Sequence, residues 1–198
     1  MALALTASSA EAAGAIARSF SPRAQTQLAD KKLRRRLIRA FGLLGDARFV
    51  PWLIERMAEP EIARLCGESF CWITGADLAR MDLETLQALA LPEHPSDDPD
   101  DDDVSLDEDD SLPWPDAAKV QAWWSKQTAM HAAAAAGQRL FEGEVPSIAV
   151  AQRVLREGTQ RRRARAALLA CVLQPGQKLF AIAARTRRQQ RALGLPQR

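Results

Sequence analysis

Apolar residues recur at helical spacing through most of the chain. Leu28, Leu33, Leu37, Phe41 and Leu44 follow one another at intervals of three to five residues, which predicts an amphipathic helix from about Thr26 to the stop at Gly45 and Asp46. Its outer face is crowded with Lys31, Lys32, Arg34, Arg35 and Arg36, and Arg39 follows. A second helix is expected over residues 49–58, with Pro51 tolerated in the first turn and Pro60 closing it. A third covers residues 61–73 and ends at Thr74 and Gly75, where glycine adopts a left-handed cap. A fourth is expected over residues 83–91, before Pro92, and a short helix over residues 11–20 ends at Ser21 and Pro22. Further on, Asp116 is placed to cap a helix over residues 117–127 that carries Val120, Trp123 and Trp124. Helices over 146–156 and 159–173 follow, the second with Thr159 as N-cap, then a turn at 174–177 and a basic helix or tail over 185–193. Residues 138–144 read as a short extended piece, and 179–184 fit either a strand or a helix.

Two of the helices echo each other. Gly45 and Gly75 stand thirty residues apart, as do Phe41 and Cys71. A repeat of that length, made of two short helices, suggests stacking of units too small to bury their apolar faces alone. Residues 33–75 resemble a HEAT repeat of the short bacterial type. The resemblance rests on Phe41-Gly-Leu-Leu-Gly-Asp46, then Phe49-Val-Pro-Trp-Leu-Ile54, then Pro60-Glu-Ile-Ala-Arg64. The expected fold is therefore all-α: a HEAT-like α-solenoid with an acidic loop insertion and a C-terminal helical segment. Its expected divisions are a weakly ordered stretch over 1–23, helical repeats over 24–92, the acidic loop over 93–116, and a C-terminal helical region with a basic tail over 117–198.

Charge changes this picture by its distribution. The formal net charge of the 198 residues is only +2. Residues 1–92 carry +2, residues 93–152 carry −11, and residues 153–198 carry +11. From residue 93 to 116 there are 12 acidic side chains and no Lys or Arg. Like-charge repulsion opposes compaction there, so an exposed loop is expected. Four roles compete for it: a solvated linker, an internal partner for the chain's own basic helices, a docking surface for a basic protein, and a divalent-cation site. Asp98, Asp100 and Asp102 alternate as in an EF-hand, but Asp103 stands where the turn requires Gly and Asp109 where a bidentate Glu is usual, so no metal site is assigned.

The remaining composition narrows the classes. At 47% hydrophobic the chain can bury a core, and no apolar run is long enough to span a membrane. Three Cys and the lack of a basic residue before the apolar start predict reduced thiols and a cytoplasmic location without a secretory leader. Cys66 and Cys71 lie roughly 140° apart around one helix, unsuited to a shared metal. His94 and His131 belong to no nucleophile pattern, and no phosphate-cradling glycine motif occurs. The chain reads as non-enzymatic, with no cofactor.

A larger set of blocks carries a family resemblance: Gly67-Glu-Ser-Phe70, Ile73-Thr-Gly-Ala-Asp-Leu78, the Asp-rich run, Leu112-Pro-Trp-Pro-Asp116 with Trp123 and Trp124, Val154-Leu-Arg-Glu-Gly-Thr-Gln160, and Arg188-Gln-Gln-Arg191. Over residues 30–194 the chain resembles the C-terminal portion of a proteobacterial family of HEAT-like proteins whose members carry a further helical half upstream. Such proteins resemble accessory proteins encoded beside type VI secretion effectors, which implies an immunity or effector-adaptor role and a basic secreted effector as partner. The expected partner-binding residues are Asp97, Asp98, Asp100, Asp101, Asp102, Asp103, Asp107, Trp114 and Trp124. The alternative is a nucleic-acid-binding module that uses Lys31, Lys32, Arg35, Arg36, Arg39, Arg161, Arg162, Arg163 and Arg165. No stacking aromatic interleaves these basic runs, and the acidic loop would compete for them, so protein binding is the leading expectation.

Overall fold

The computed structural model describes residues 31–85 and 108–196. Among these residues the fold is all-α, with extended pairing confined to isolated bridges. The helices are α1 (Lys31–Leu44), α2 (Val50–Arg56), α3 (Pro60–Thr74), α4 (Ala117–Trp124), α5 (Thr128–Ala135), α6 (Ile148–Glu157), α7 (Gln160–Leu173) and α8 (Thr186–Ala192), with a 3-10 turn over Ala47–Phe49. None is long and apolar enough to cross a membrane. The helix expected over 11–20 lies outside the described residues.

Local chemistry places most of these elements. Asp46 caps the 3-10 turn through the Arg48 N–H at 3.0 Å, and Pro residues open α2 and α3. Asp116 accepts from the N–H groups of Ala118 and Lys119, and Ser147 from that of Val150. Thr159 precedes α7 as expected, yet its side chain makes no capping bond.

The helix expected over 83–91 is corrected at its start. Leu83–Thr85 is extended and pairs with 114–116: Thr85 N–H donates to Trp114 O at 2.9 Å, and Asp116 N–H to Leu83 O at 2.9 Å. Pairing with the rigid Pro113-Trp-Pro115 element satisfies these backbone groups better than a helix begun after Asp82, which has φ +53°. Residues 86–91 lie outside the described residues.

Helices α1 and α3 lie side by side in the same direction. Ser69 Oγ donates to Ile38 O at 3.0 Å, and a Cβ on Gly42 would meet Trp72 Cε3 at 2.7 Å, so glycine permits the close approach. The first core gathers Ile38, Phe41, Leu53, Leu65, Phe70 and Ile73, closed by Val120, Trp124 and Leu140. The Phe41 ring stacks on Phe49 at 4.4 Å and meets Trp52 edge-on at 5.3 Å. A second core forms between α6 and α7 from Val150, Ala151, Leu155, Ala166 and Leu169, with Phe141.

The segment 139–144 is the seam between the cores. Leu140 points into the first and Phe141 into the second, as successive side chains of an extended stretch must. It also covers the ends of both parallel helices. Leu140 N–H donates to Gly45 O at 2.7 Å, Glu142 N–H to Trp72 O at 3.0 Å, and Gly143 N–H to Ile73 O at 2.9 Å. Gly45 and Gly75 have φ of +74° and +73°, and a Cβ there would stand 2.1 Å from Leu140 O and 2.4 Å from Glu142 O. The thirty-residue echo thus has a physical cause in this fold: two helix ends against one strand-like segment, each requiring glycine.

Candidate functional site

The acidic segment rejoins the described residues at Glu108, and the carboxylates of Glu108, Asp109 and Asp110 are held by arginines. Arg35 and Arg39 lie one turn apart on α1 and share a face. Arg35 Nη1 donates to Asp109 Oδ2 at 2.7 Å, and Arg39 Nη2 to Glu108 Oε2 at 2.6 Å, with longer cross-contacts of 3.5 Å and 3.9 Å. Asp109 is only 3% exposed. Arg64 of α3 reaches Asp110 at 3.5 Å while its guanidinium lies 4.6 Å above the Trp114 ring. From α7, Arg161 donates to Glu108 O at 2.6 Å and to Glu68 at 3.2 Å. With Thr85 bound to Trp114 at the other end, residues 85 and 108 are both anchored to the helical body. The stretch between them holds eight Asp or Glu and no Lys or Arg.

The electrostatics follow the geometry. The bond and attraction from Arg39, then the attraction of Arg35, lower the pKa of Glu108 below the usual carboxylate range. Burial works against the Arg35 charge, but Asp109 and Glu108 outweigh it and raise its pKa. Burial raises Glu68 against the opposing pull of Arg161.

A second cluster lies at the seam. Arg162 pairs with Glu142 at 3.2 Å and donates to Ala76 O at 2.7 Å. Arg165, 4% exposed, donates to Gly42 O at 2.7 Å and stacks 4.1 Å from the Trp72 ring centroid and 5.1 Å from that of Phe141. Its Nη1 lies 3.7 Å from Glu142 Oε1, beyond hydrogen-bonding reach, and neither atom has a hydrogen-bond partner. Burial raises the Glu142 pKa against Arg162 and Arg165. Burial also lowers Arg165 to about 9, against Glu142 and Glu68, so it remains charged at neutral pH. Three arginines of α7 thereby fasten the second core to α1, α3 and the acidic segment. The arrangement holds two layers together. Burial pushes the Cys71 thiol up to about 12 and raises Cys66 further, which keeps both protonated.

The expected site residues fall into three groups. Asp97, Asp98, Asp100, Asp101, Asp102, Asp103 and Asp107 lie outside the described residues. Trp114 is half-buried beneath Arg64 at the foot of the acidic segment. Trp124 is corrected as a partner anchor: it is 3% exposed, packed in the first core, with the His131 ring 4.4 Å away and His131 Nε2 3.0 Å from its carbonyl. Helical geometry turns it inward, while its neighbour Trp123 meets Phe70 edge-on at 5.7 Å.

Arg35, Arg39, Arg161, Arg162 and Arg165 engage the contacts above, and Arg163 donates to Leu155 O at 2.8 Å and to the Gln160 and Gln189 side chains. Lys31, Lys32 and Arg36 stand exposed near the start of α1. Glu68 and Glu142 were not anticipated. An acid amid the apolar residues of α3 is a signal for Glu68, whereas nothing local marks Glu142.

Among the described residues no group of three His, Cys, Asp or Glu comes together as a metal site. No family model, curated protein or solved structure matches this chain.

Proposed function

We propose that this is a non-enzymatic, cytoplasmic protein-interaction protein on a HEAT-like helical scaffold, whose acidic segment captures a basic partner. An immunity or effector-adaptor role in type VI secretion is the form that the family resemblance implies. The parallel packing of α1 and α3 at a thirty-residue offset supports the HEAT-like reading.

The observation that carries the function is the double anchoring of the acidic segment, at Thr85 and at Glu108–Asp110. A stretch fixed at both ends loses less conformational freedom on binding than a free tail. Its concentrated negative charge accelerates encounter with a basic protein and rejects acidic ones. Arginines of α1, α3 and α7 neutralise the foot of the segment at Glu108, Asp109 and Asp110.

The test is binding kinetics of the full chain with effectors encoded beside its gene. Replacing the Asp residues at 97, 98, 100–103 and 107 with Asn should slow association on the order of tenfold and flatten its salt dependence. Unchanged association would overturn the reading.

A further inference from the structure

The arginines of the first core and the seam are largely ion-paired, but those around one cleft are not. Between α6, α7 and α8 lies a half-open cavity of about 300 Å³. Ile148, Leu155, Phe180 and Leu193 contribute its apolar surface. Arg156 from α6, Lys178 from the segment before α8, and Arg188 from α8 also line it, and no Asp or Glu does. All three cations are exposed, and among the described residues none forms an ion pair. Nearby Arg153 and Arg162, by contrast, pair with Glu144 and Glu142.

The wall over residues 177–184 is fixed in place. Gln189 Nε2 donates to Ile182 O at 2.8 Å and to Ala184 O, and Gln160 Nε2 donates to Ile182 O at 3.0 Å. Arg163 sits 5.7 Å from the Phe180 ring centroid. The cleft is thus formed before any ligand arrives, which lowers the cost of binding.

We propose that this cleft docks an acidic peptide segment of a partner protein, with an apolar side chain against its floor and neighbouring carboxylates on Arg156, Lys178 and Arg188. The cations come from three different elements around the rim, so they match several carboxylates spaced along a chain better than one anionic headgroup. The apolar floor supplies an anchor pocket of the kind that interface hot spots fill. This surface has the opposite sign to the acidic segment, and the inference does not rest on the function proposed above.

The experiment is fluorescence anisotropy of the full chain with a short labelled peptide of Asp, Glu, Leu and Phe. The controls are its analogue with Lys in place of every acid, and dodecanoate as a small amphiphile. The acidic peptide should bind saturably, and more weakly as salt rises. The doubly substituted Arg156→Glu, Arg188→Glu protein should bind it on the order of tenfold more weakly, since two favourable rim charges become repulsive. Both positions are exposed, so circular dichroism should show the fold retained. Equal binding of the Lys analogue, or an unchanged affinity in the substituted protein, would overturn the proposal. So would dodecanoate binding without peptide binding, which would make this a site for small amphiphiles.

Discussion

Replacing Arg165 with Met tests whether α7 is fastened to the first core by a buried charge. The native guanidinium donates to Gly42 O at 2.7 Å and lies 4.1 Å from the Trp72 ring centroid. A charge-assisted hydrogen bond contributes about 1.5–3 kcal/mol, and a desolvated cation–π contact about 2 kcal/mol. The substitution also leaves the Glu142 carboxylate with Arg162 as its nearer cation. Against these losses, removing a buried guanidinium relieves a desolvation cost of several kcal/mol, and Met refills part of the volume. The expected net destabilisation is about 2–4 kcal/mol, measured by urea unfolding at neutral pH and followed by circular dichroism. Glu142→Gln alone should cost little at neutral pH, because burial already disfavours the ionised carboxylate that it replaces. The double substitution should cost less than the sum by about 1 kcal/mol or more, because the two side chains share one buried cluster. A loss below about 0.5 kcal/mol for Arg165→Met, or simple additivity, would refute the fastening role.

Other outcomes follow from the same contacts. Gly75→Ala should destabilise by about 2–4 kcal/mol, combining left-handed strain with a Cβ placed 2.4 Å from Glu142 O, and a thermal midpoint unchanged from the parent would contradict this. Trp124→Ala should cost about 3–5 kcal/mol in unfolding while leaving binding by the folded protein intact; selective loss of binding at unchanged stability would return Trp124 to the interface. The lowered pKa of Glu108 means its stabilisation is present above the ordinary carboxyl range and lost as pH falls through its folded value. Glu108→Gln should therefore flatten the acid side of the stability profile, and an unaltered slope would deny the ion pair any role. The raised pKa of Glu142 has the opposite sign: the folded state takes up the proton first on acidification and gains stability. The parent should gain on Glu142→Gln as pH falls toward the ordinary carboxyl range, which unfolding curves at several pH values will show.

The helices were legible because their signals are local. Apolar spacing, the Asp116 cap, the prolines opening α2 and α3 and the left-handed Gly75 each act within a turn or two of chain. The thirty-residue echo of Gly45 and Gly75 was visible too, although its cause was not. Both glycines yield to residues 140–142, with Leu140 lying 95 positions beyond Gly45 and Glu142 lying 67 beyond Gly75, separations that no periodicity spans. The partition of charge into an acidic middle and a basic end was likewise readable by counting.

Which charges meet was not. Arg35 and Arg36 are adjacent and chemically identical, yet one is bonded to Asp109 and the other stands exposed. Arg165 belonged to a basic run that reads as a solvated face, but the packing of α7 against Trp72 and Gly42 buries it. Trp123 and Trp124 could exchange roles in the sequence, and only the helix rotation set by the first core sends Trp124 inward. Sequence alone determined where the helices run and how charge is distributed along them. Tertiary structure decided which of the described charges are paired or buried and which stand exposed, because ion pairing and burial depend on distances between residues remote in the chain.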